Sequence, residues 1–435
     1  PRSTQGVSSA ASDVYKRQFL YYTCVKKLQR IVPWQKCAQE KRRDMLNLQV
    51  ADRMKEYEEG IFQLLDEKKA EVEKTGKKVY NLSVGTPDFP PSERIMKAVE
   101  EAARKPENYK YSLKEIPELK QALIERYRTR YQVELKEAEF TAVYGSQEGI
   151  AHIALAYCNP GDVVLVPDPG YPIFSIGPSL AMADVRTYPL LKENDYLPDL
   201  KGMDSELLKK TKMMIVSYPL NPICRIAPDS FYDELIPWAK ENNIIIVHDN
   251  AYSDIVYDGH VGKSILSHEG AKDICVEFYS LSKSFNYTGA RMGFLVGNEF
   301  LVQTFKKLRS QIDYGAFLPV QYGAVAALTG SDEEVKAQCA EYQKRRDALC
   351  SGLRSIGWYI EDSEGSMFAW AAIPEGYTDD VSFVMELLER AGVLCTPGSS
   401  FGKRGKGHVR FALTMPVERI KEAVKAIENS GMIRK

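Results

Sequence analysis

Long apolar runs are missing from this chain. The stretch Phe19-Leu20-Tyr21-Tyr22 gives way to basic residues (Lys26, Lys27, Arg30, Lys36). It is too short to span a bilayer, and no small-residue cleavage site follows it, so no signal peptide is expected. Histidine is scarce, with five in 435 residues and none in an HExxH arrangement; metal-assisted hydrolysis is disfavoured and no metal is expected. Neither charge sign is in excess, since 58 Lys and Arg against 59 Asp and Glu leave a net −1. Nothing in that balance calls for nucleic acid or an anionic membrane as partner. The eight cysteines (Cys24, Cys37, Cys158, Cys224, Cys275, Cys339, Cys350, Cys395) form no CxxC pair and are too dispersed for a disulfide framework or a zinc site. A reducing cytoplasm is the expected location. Internal repeats and low-complexity segments are also lacking after residue 45.

What is present has the pattern of a two-lobed globular protein. A length of 435 residues exceeds what one core usually supports, and 44% hydrophobic with 27% charged residues is ordinary for such a chain. Residues 1–44 open small and polar and then turn basic, and are read as a disordered or non-native extension. Folded patterning starts near Leu46: Met54, Tyr57, Ile61, Leu64 and Leu65 recur at helical spacing, and 78–84 reads as a strand ending at Gly85-Thr86-Pro87-Asp88. Ser92 is placed to cap a helix, and Pro117 opens another that runs to Tyr131. Between Phe140 and Gly297, short apolar strands at 141–144, 163–166, 213–217, 244–247, 275–279 and 293–297 alternate with helices. That rhythm predicts a mostly parallel sheet covered on both faces, with ligands beyond the carboxyl ends of its strands. Past residue 330 come a long polar helix at 332–353, strand-like runs at 357–360, 367–370 and 409–413, and a helix at 381–391. Strands with helices to one side predict a smaller α+β lobe.

Polar clusters fall at the strand ends. Ser280-Leu281-Ser282-Lys283 closes one strand, and Arg291 follows shortly before the next. Hydroxyls and a guanidinium suit a phosphate, and a lysine of lowered pKa can attack a carbonyl, so a phosphorylated carbonyl compound fits better than a plain solvated loop. Gly145-Ser146-Gln147 begins a helix, where exposed amides favour phosphate, although Ser146 as a simple N-cap fits equally well. Tyr171 lies between Pro169 and Pro172, either a shelf for a planar ring or a core tyrosine. Asp249 ends an apolar strand, where an unpaired carboxylate is costly; a protonated ring nitrogen and the following turn are both possible partners. Tyr252 and Asn221 stand ready to donate to a ring oxygen. Arg410, inside an apolar run, should have an anionic partner, either a substrate carboxylate or a structural Asp or Glu. Pyridoxal phosphate needs all of these parts together.

From about residue 46 to its end the chain resembles the class I/II pyridoxal-phosphate-dependent aminotransferases of fold type I, in particular the aspartate/alanine and LL-diaminopimelate branch. The resemblance rests on Ser280-x-Ser282-Lys283 with Arg291, joined by Asn221-Pro222, Asp249 and Arg410. It implies a large domain with a mostly parallel seven-stranded sheet (residues 91–330) and a small α+β domain built from 45–90 and 331–435. By resemblance, Lys283 is the Schiff-base lysine and proton shuttle. Asp249 pairs with the pyridine nitrogen, Asn221 and Tyr252 bond the ring hydroxyl, and Tyr171 stacks on the ring. Ser146, Gln147, Ser280, Ser282 and Arg291 hold the phosphate and its surroundings, Arg410 grips the substrate carboxylate, and Gly85 lines the pocket with its backbone. A tyrosine of Tyr109-Lys110-Tyr111, with Tyr111 favoured, is expected to reach the phosphate of a neighbouring subunit in a homodimer. Two departures stand out: the usual Asn-Pro-Thr-Gly is Asn221-Pro222-Ile223-Cys224, and the segment between Tyr111 and Pro117 lacks the glycine common there.

The implied activity is ping-pong transfer of an amino group between an amino acid and a 2-oxo acid. A carbon–sulfur β-lyase of the same fold would carry the same cofactor residues, and only product analysis separates the two. A non-catalytic regulator with this domain would need a DNA-binding module, which residues 1–44 are too short and poorly patterned to supply.

Overall fold

The computed structural model describes residues 48–57 and 61–433, so the expectations for residues 1–44 lie outside it. The chain divides into two units, 1–58 and 59–435. The described part of the first holds one 3-10 turn, Asp52–Glu56. Everything below concerns the second.

This unit opens with the helix Ile61–Lys74 and a two-residue strand, β1, Tyr80–Asn81. The expected strand over 78–84 is therefore much shorter: only Tyr80 and Asn81 pair, in parallel with Val393 and Leu394. Ser92 immediately precedes the helix Glu93–Ala103, but its hydroxyl makes no capping bond. Pro117–Tyr131 is helical as expected, because a proline costs nothing at the first helical position.

Seven strands follow: β2 Phe140–Val143, β3 Val163–Asp168, β4 Asp184–Pro189, β5 Thr211–Ser217, β6 Ile245–Asn250, β7 Cys275–Ser280 and β8 Gly293–Gly297. They form one sheet in the order β2-β8-β7-β6-β5-β3-β4. Only β8 runs against its neighbours. Side chains alternate across the sheet, and both faces are buried. Met214, Val216 and Ile246 enter one apolar cluster, while Met213, Ile215 and Val247 enter another on the opposite face. This two-sided burial is why the strands read as mostly apolar runs, with the buried Glu277 breaking β7. The edge strand β4 is the exception; its Asp184, Arg186 and Thr187 are half-buried or exposed, and sequence patterning missed it.

A third apolar cluster joins Leu65, Val72, Tyr80 and Leu82 to residues from 342 onward, among them Trp358, Phe383, Val409 and Ile427. Here β9 Phe368–Ala372, β10 Val393–Leu394, β11 Thr396–Pro397 and β12 His408–Ala412 supply short strands, with β12 between β11 and β9. The helices Asp332–Ser355, Asp380–Ala391 and Val417–Ser430 flank them. The strand expected at 357–360 does not form. Trp358 and Ile360 are apolar because they are buried, and the indole N–H donates to the carbonyl of Ala372 at 2.8 Å rather than joining a ladder. No disulfide and no His/Cys/Asp/Glu cluster able to hold a metal occurs among the described residues. No described helix is long and apolar enough to cross a membrane.

Candidate active site

Register aligns the carboxyl ends of the central strands. Ser217 lies opposite Asp249, Asp249 opposite Phe278, and Ser280 opposite Gly293. Asp249 near the end of β6 and Ser280 at the end of β7, with Ser146 and Gln147 just after β2 and Asn221 just after β5, line a cavity of about 490 Å³ along this rim. Of the residues expected from sequence, Gly85, Ser146, Gln147, Tyr171, Asn221, Asp249, Tyr252, Ser280, Ser282, Lys283, Arg291 and Arg410 border this cavity. Tyr111 does not; it is 80% exposed and packs edge-on against Tyr314, 5.1 Å between ring centres. Tyr109 is also exposed, and its hydroxyl donates to the carbonyl of Ala103 at 2.9 Å.

At the floor, Arg410 is buried in β12. Its Nη1 donates to Oδ1 of Asn221 at 2.8 Å, and its Nη2 to the carbonyl of Ser83 at 3.1 Å. Its guanidinium lies over the rings of Phe368, at 4.0 Å, and Phe401, at 4.7 Å. Of the two partners expected for it, a structural carboxylate is not found among the described residues. Burial pushes the guanidinium down to about 10, and Nε makes no hydrogen bond. A desolvated cation without an anion is expensive, so the site favours an anionic ligand.

Lys283 sits in the short helix Leu281–Ser284, and its Nζ donates to the carbonyl of Gly85 at 2.7 Å. Burial lowers this amine to about 8, helped by the like charges of Arg410 and Arg291 and opposed by Asp249. The same burial raises Asp249 to about 7, with Lys283 pulling the other way. Its Oδ1 is buried without a partner; the turn that follows does not use it. Tyr252 is buried nearby, its phenol raised by burial. A neutral amine is thus available near physiological pH beside an acid held ready for a cationic nitrogen.

The opposite wall is built for an anion. Gly145, at φ +86, precedes the helix Ser146–Tyr157, so Ser146 is its first residue and not its cap. A Cβ on Gly145 would lie 2.5 Å from Nη2 of Arg291. The Ser146 hydroxyl is buried and unpartnered at that helix end. Ser280 Oγ accepts from the amide of Ser282 at 3.2 Å and so caps the turn carrying Lys283. Tyr171 donates to Oε1 of Gln147 at 3.1 Å, which fixes the phenol at the rim.

Sequence reasoning passed over three contributors. Phe368 carries the Arg410 cation on its ring, and Thr396 accepts from Arg410 at 3.4 Å. Thr288 donates to the carbonyl of Ser282 at 2.8 Å and accepts from Nη1 of Arg291 at 3.0 Å through its own carbonyl, tying the lysine turn to the arginine. Spacing from Lys283 is the only signal that pointed toward Thr288; the other two depend on strand pairing.

The profile of the family described as aminotransferase class I and II matches residues 77–427. The chain is 40% identical over 384 residues to the LL-diaminopimelate aminotransferase of Halothermothrix orenii, spanning 88% of this chain and 98% of that one. It is 42% identical over 381 residues to the enzyme of the same name from Aquifex aeolicus, spanning 87% and 98%. Among solved structures, apo-BacF from Bacillus subtilis superposes with a TM-score of 0.85 at 35% identity, covering 88% of this chain and 98% of BacF. A probable N-succinyldiaminopimelate aminotransferase from Thermus thermophilus gives 0.80 at 33%, covering 85% and 100%.

Proposed function

Because the chain belongs to the class I and II aminotransferase family, we propose that this cavity binds pyridoxal phosphate and moves an amino group between a diaminopimelate-like amino acid and a 2-oxo acid. The observation that carries this reading is a pair of unsatisfied groups bordering one cavity: the partnerless carboxylate oxygen of Asp249 and the anion-less guanidinium of Arg410. One suits a protonated ring nitrogen, the other an α-carboxylate.

The residues fit the cofactor. Ser146, Gln147, Ser280, Ser282 and Arg291 would hold the phosphate, and Tyr171 would cover a ring face. Asn221 and Tyr252 would meet the ring hydroxyl, and Asp249 the ring nitrogen. Bound there, pyridoxal phosphate would supply an aldehyde to receive the amino group and a ring to draw electrons from the substrate's α-carbon. Arg410 would orient the substrate through its carboxylate, two parallel hydrogen bonds fixing which bond to the α-carbon is broken. Lys283, neutral above about pH 8, would take the α-proton and return it on the other side of the transfer.

The choice of a diaminopimelate-like donor rests on the names of the relatives. Residues 45–90 and 331–435 are proposed as one domain, 91–330 as the other, in a cytoplasmic homodimer to which Tyr111 contributes. A panel of amino donors, LL-diaminopimelate and aspartate included, with 2-oxoglutarate and pyruvate as acceptors tests the assignment. The expected result is transfer by the yellow protein and none by Lys283→Ala; steady turnover by that variant would overturn the role given to Lys283.

A further inference from the structure

We propose that one face of the helix Asp332–Ser355 sets the position of Lys283, with Gln338 and Arg345 as positioning residues; this rests on the reading of Lys283 as the reacting amine. Lys283 lies in a four-residue helix, Leu281–Ser284; the residues that follow it bond the carbonyls of Leu281, through the amides of Phe285 and Tyr287, and of Ser282, through Thr288, but not that of Lys283. The carbonyl of Lys283 is met instead by Nε2 of Gln338, at 2.8 Å. Gln338 accepts in turn from Nδ2 of Asn286 at 3.0 Å. Asn286 stands at φ +54 just past the turn and also donates to the carbonyl of Pro90, at 3.3 Å.

Two turns along the same helix face, Arg345 holds the segment that receives the lysine's other end. Its Nη1 and Nη2 pair with the two carboxylate oxygens of Asp88 at 2.7 and 3.1 Å, and Nη1 also reaches the carbonyl of Leu413 at 3.0 Å. Asp88 belongs to the loop whose Gly85 carbonyl accepts from Lys283 Nζ. Between the two anchors, Tyr342 meets Phe89 edge-on at 5.3 Å, and the Arg345 guanidinium covers Phe89 at 4.4 Å. Gln338, Tyr342 and Arg345 recur at helical spacing, so a single rigid element grips both the backbone of Lys283 and the acceptor of its amine. Neither side chain borders the cavity. Their effect on chemistry passes through the lysine, fixing how far and in which direction its amine reaches.

The holoenzyme tests this with Gln338→Leu, Gln338→Glu, Arg345→Lys and the double variant Gln338→Leu/Arg345→Lys, beside Lys283→Ala. Removing the donor should lower kcat roughly ten- to a hundredfold, the range expected when a reacting group is displaced by about 1 Å. KM for the amino donor should change little. The pH midpoint of the bound cofactor's visible absorbance should move in Gln338→Leu and in Arg345→Lys, and their effects should fail to add in the double variant, since they act on one lysine. Should Gln338→Leu fail to fold, Gln338→Glu and Arg345→Lys carry the same test, because one abolishes the donor and the other the bidentate grip without emptying the site. A lower melting temperature with unchanged kcat and an unmoved midpoint would make the face merely structural and overturn the proposal. Turnover by Lys283→Ala would instead remove the reading of the lysine itself, so the two failures are told apart.

Discussion

Nη1 of Arg410, on β12, donates to Oδ1 of Asn221, in the loop after β5, across 2.8 Å. A residue suited to a substrate carboxylate thus also orients a residue suited to the cofactor ring. Losing the guanidinium leaves the Asn221 oxygen without this donor, and the Ser83 carbonyl with only the Thr396 hydroxyl, as well as removing the cation. Arg410→Ala should therefore cost about 3–5 kcal/mol of transition-state binding, read in kcat/KM, and Arg410→Lys should rescue poorly. Comparing an amino acid with its decarboxylated amine checks this. Equal loss on both would show that Arg410 serves the fold and that the carboxylate is held elsewhere.

Asp249 predicts a pH signature in cofactor-free protein. Its folded value is raised to about 7 by burial, whereas an unfolded aspartate titrates at about 4. Between those values the folded state holds a proton that the unfolded state has released, so stability falls as pH rises from about 4 to 7. Asp249→Asn removes that loss. It should match the parent below about pH 4 and exceed it by on the order of 2–4 kcal/mol at pH 8. Urea titrations of both proteins across this window supply the measurement; a constant difference would mean that Asp249 is ionised throughout.

Gly145 is the close approach on which the anion wall depends. An alanine there must adopt φ +86 and place its Cβ 2.5 Å from the Arg291 guanidinium. The arginine is exposed and will yield, so the expected result is a modest loss of stability, about 1–2 kcal/mol. Cofactor retention should weaken much more, since the guanidinium would be displaced from the wall it shares with the Ser146 hydroxyl. Equilibrium dialysis of pyridoxal phosphate against Gly145→Ala and the parent separates the two effects.

Tyr111 offers a test of assembly. It is exposed beside Tyr314, with Tyr109 and Phe317 paired next to it, 5.3 Å between ring centres, a cluster of aromatics suited to burial against a second copy. Dilution to monomer should loosen the cofactor, and Tyr111→Phe should raise its dissociation constant while the dimer persists. A monomer, shown as such by sedimentation, with full activity would refute the expectation.

Much of the fold was legible because burial on both faces leaves a plain mark. β3, β5, β6, β7 and β8 each carry a buried apolar stretch, broken within β7 by the buried Glu277, and each was found to within two or three residues. The strand β4 was not found, since an edge strand carrying Asp184 and Arg186 looks like a loop. The run at 357–360 misled for the converse reason: Trp358 is apolar and buried without pairing. Within the site, residues adjacent to strand ends were readable, because a polar group after an apolar run is conspicuous. Phe368 and Thr396 were not, because their relation to Arg410 is made by β9 and β11 flanking β12, and no spacing in the chain announces that pairing. Gln338 belongs to the same kind, a glutamine on a polar helix whose target lies 55 residues earlier.

The antiparallel pairing of β7 with β8 has a consequence for how this chain tolerates change in length. Ser280 and Gly293 are register partners, so the segment between them is clamped at its base by two strands of fixed spacing. It carries Lys283 at one end and Arg291 at the other, and Thr288 stitches them together. One added or deleted residue there has nowhere to bulge without shifting the amine against the phosphate wall. The loops bordering the exposed strand β4 can absorb such an indel at the surface. The region where insertions are least tolerated is therefore a short bend, and not the core.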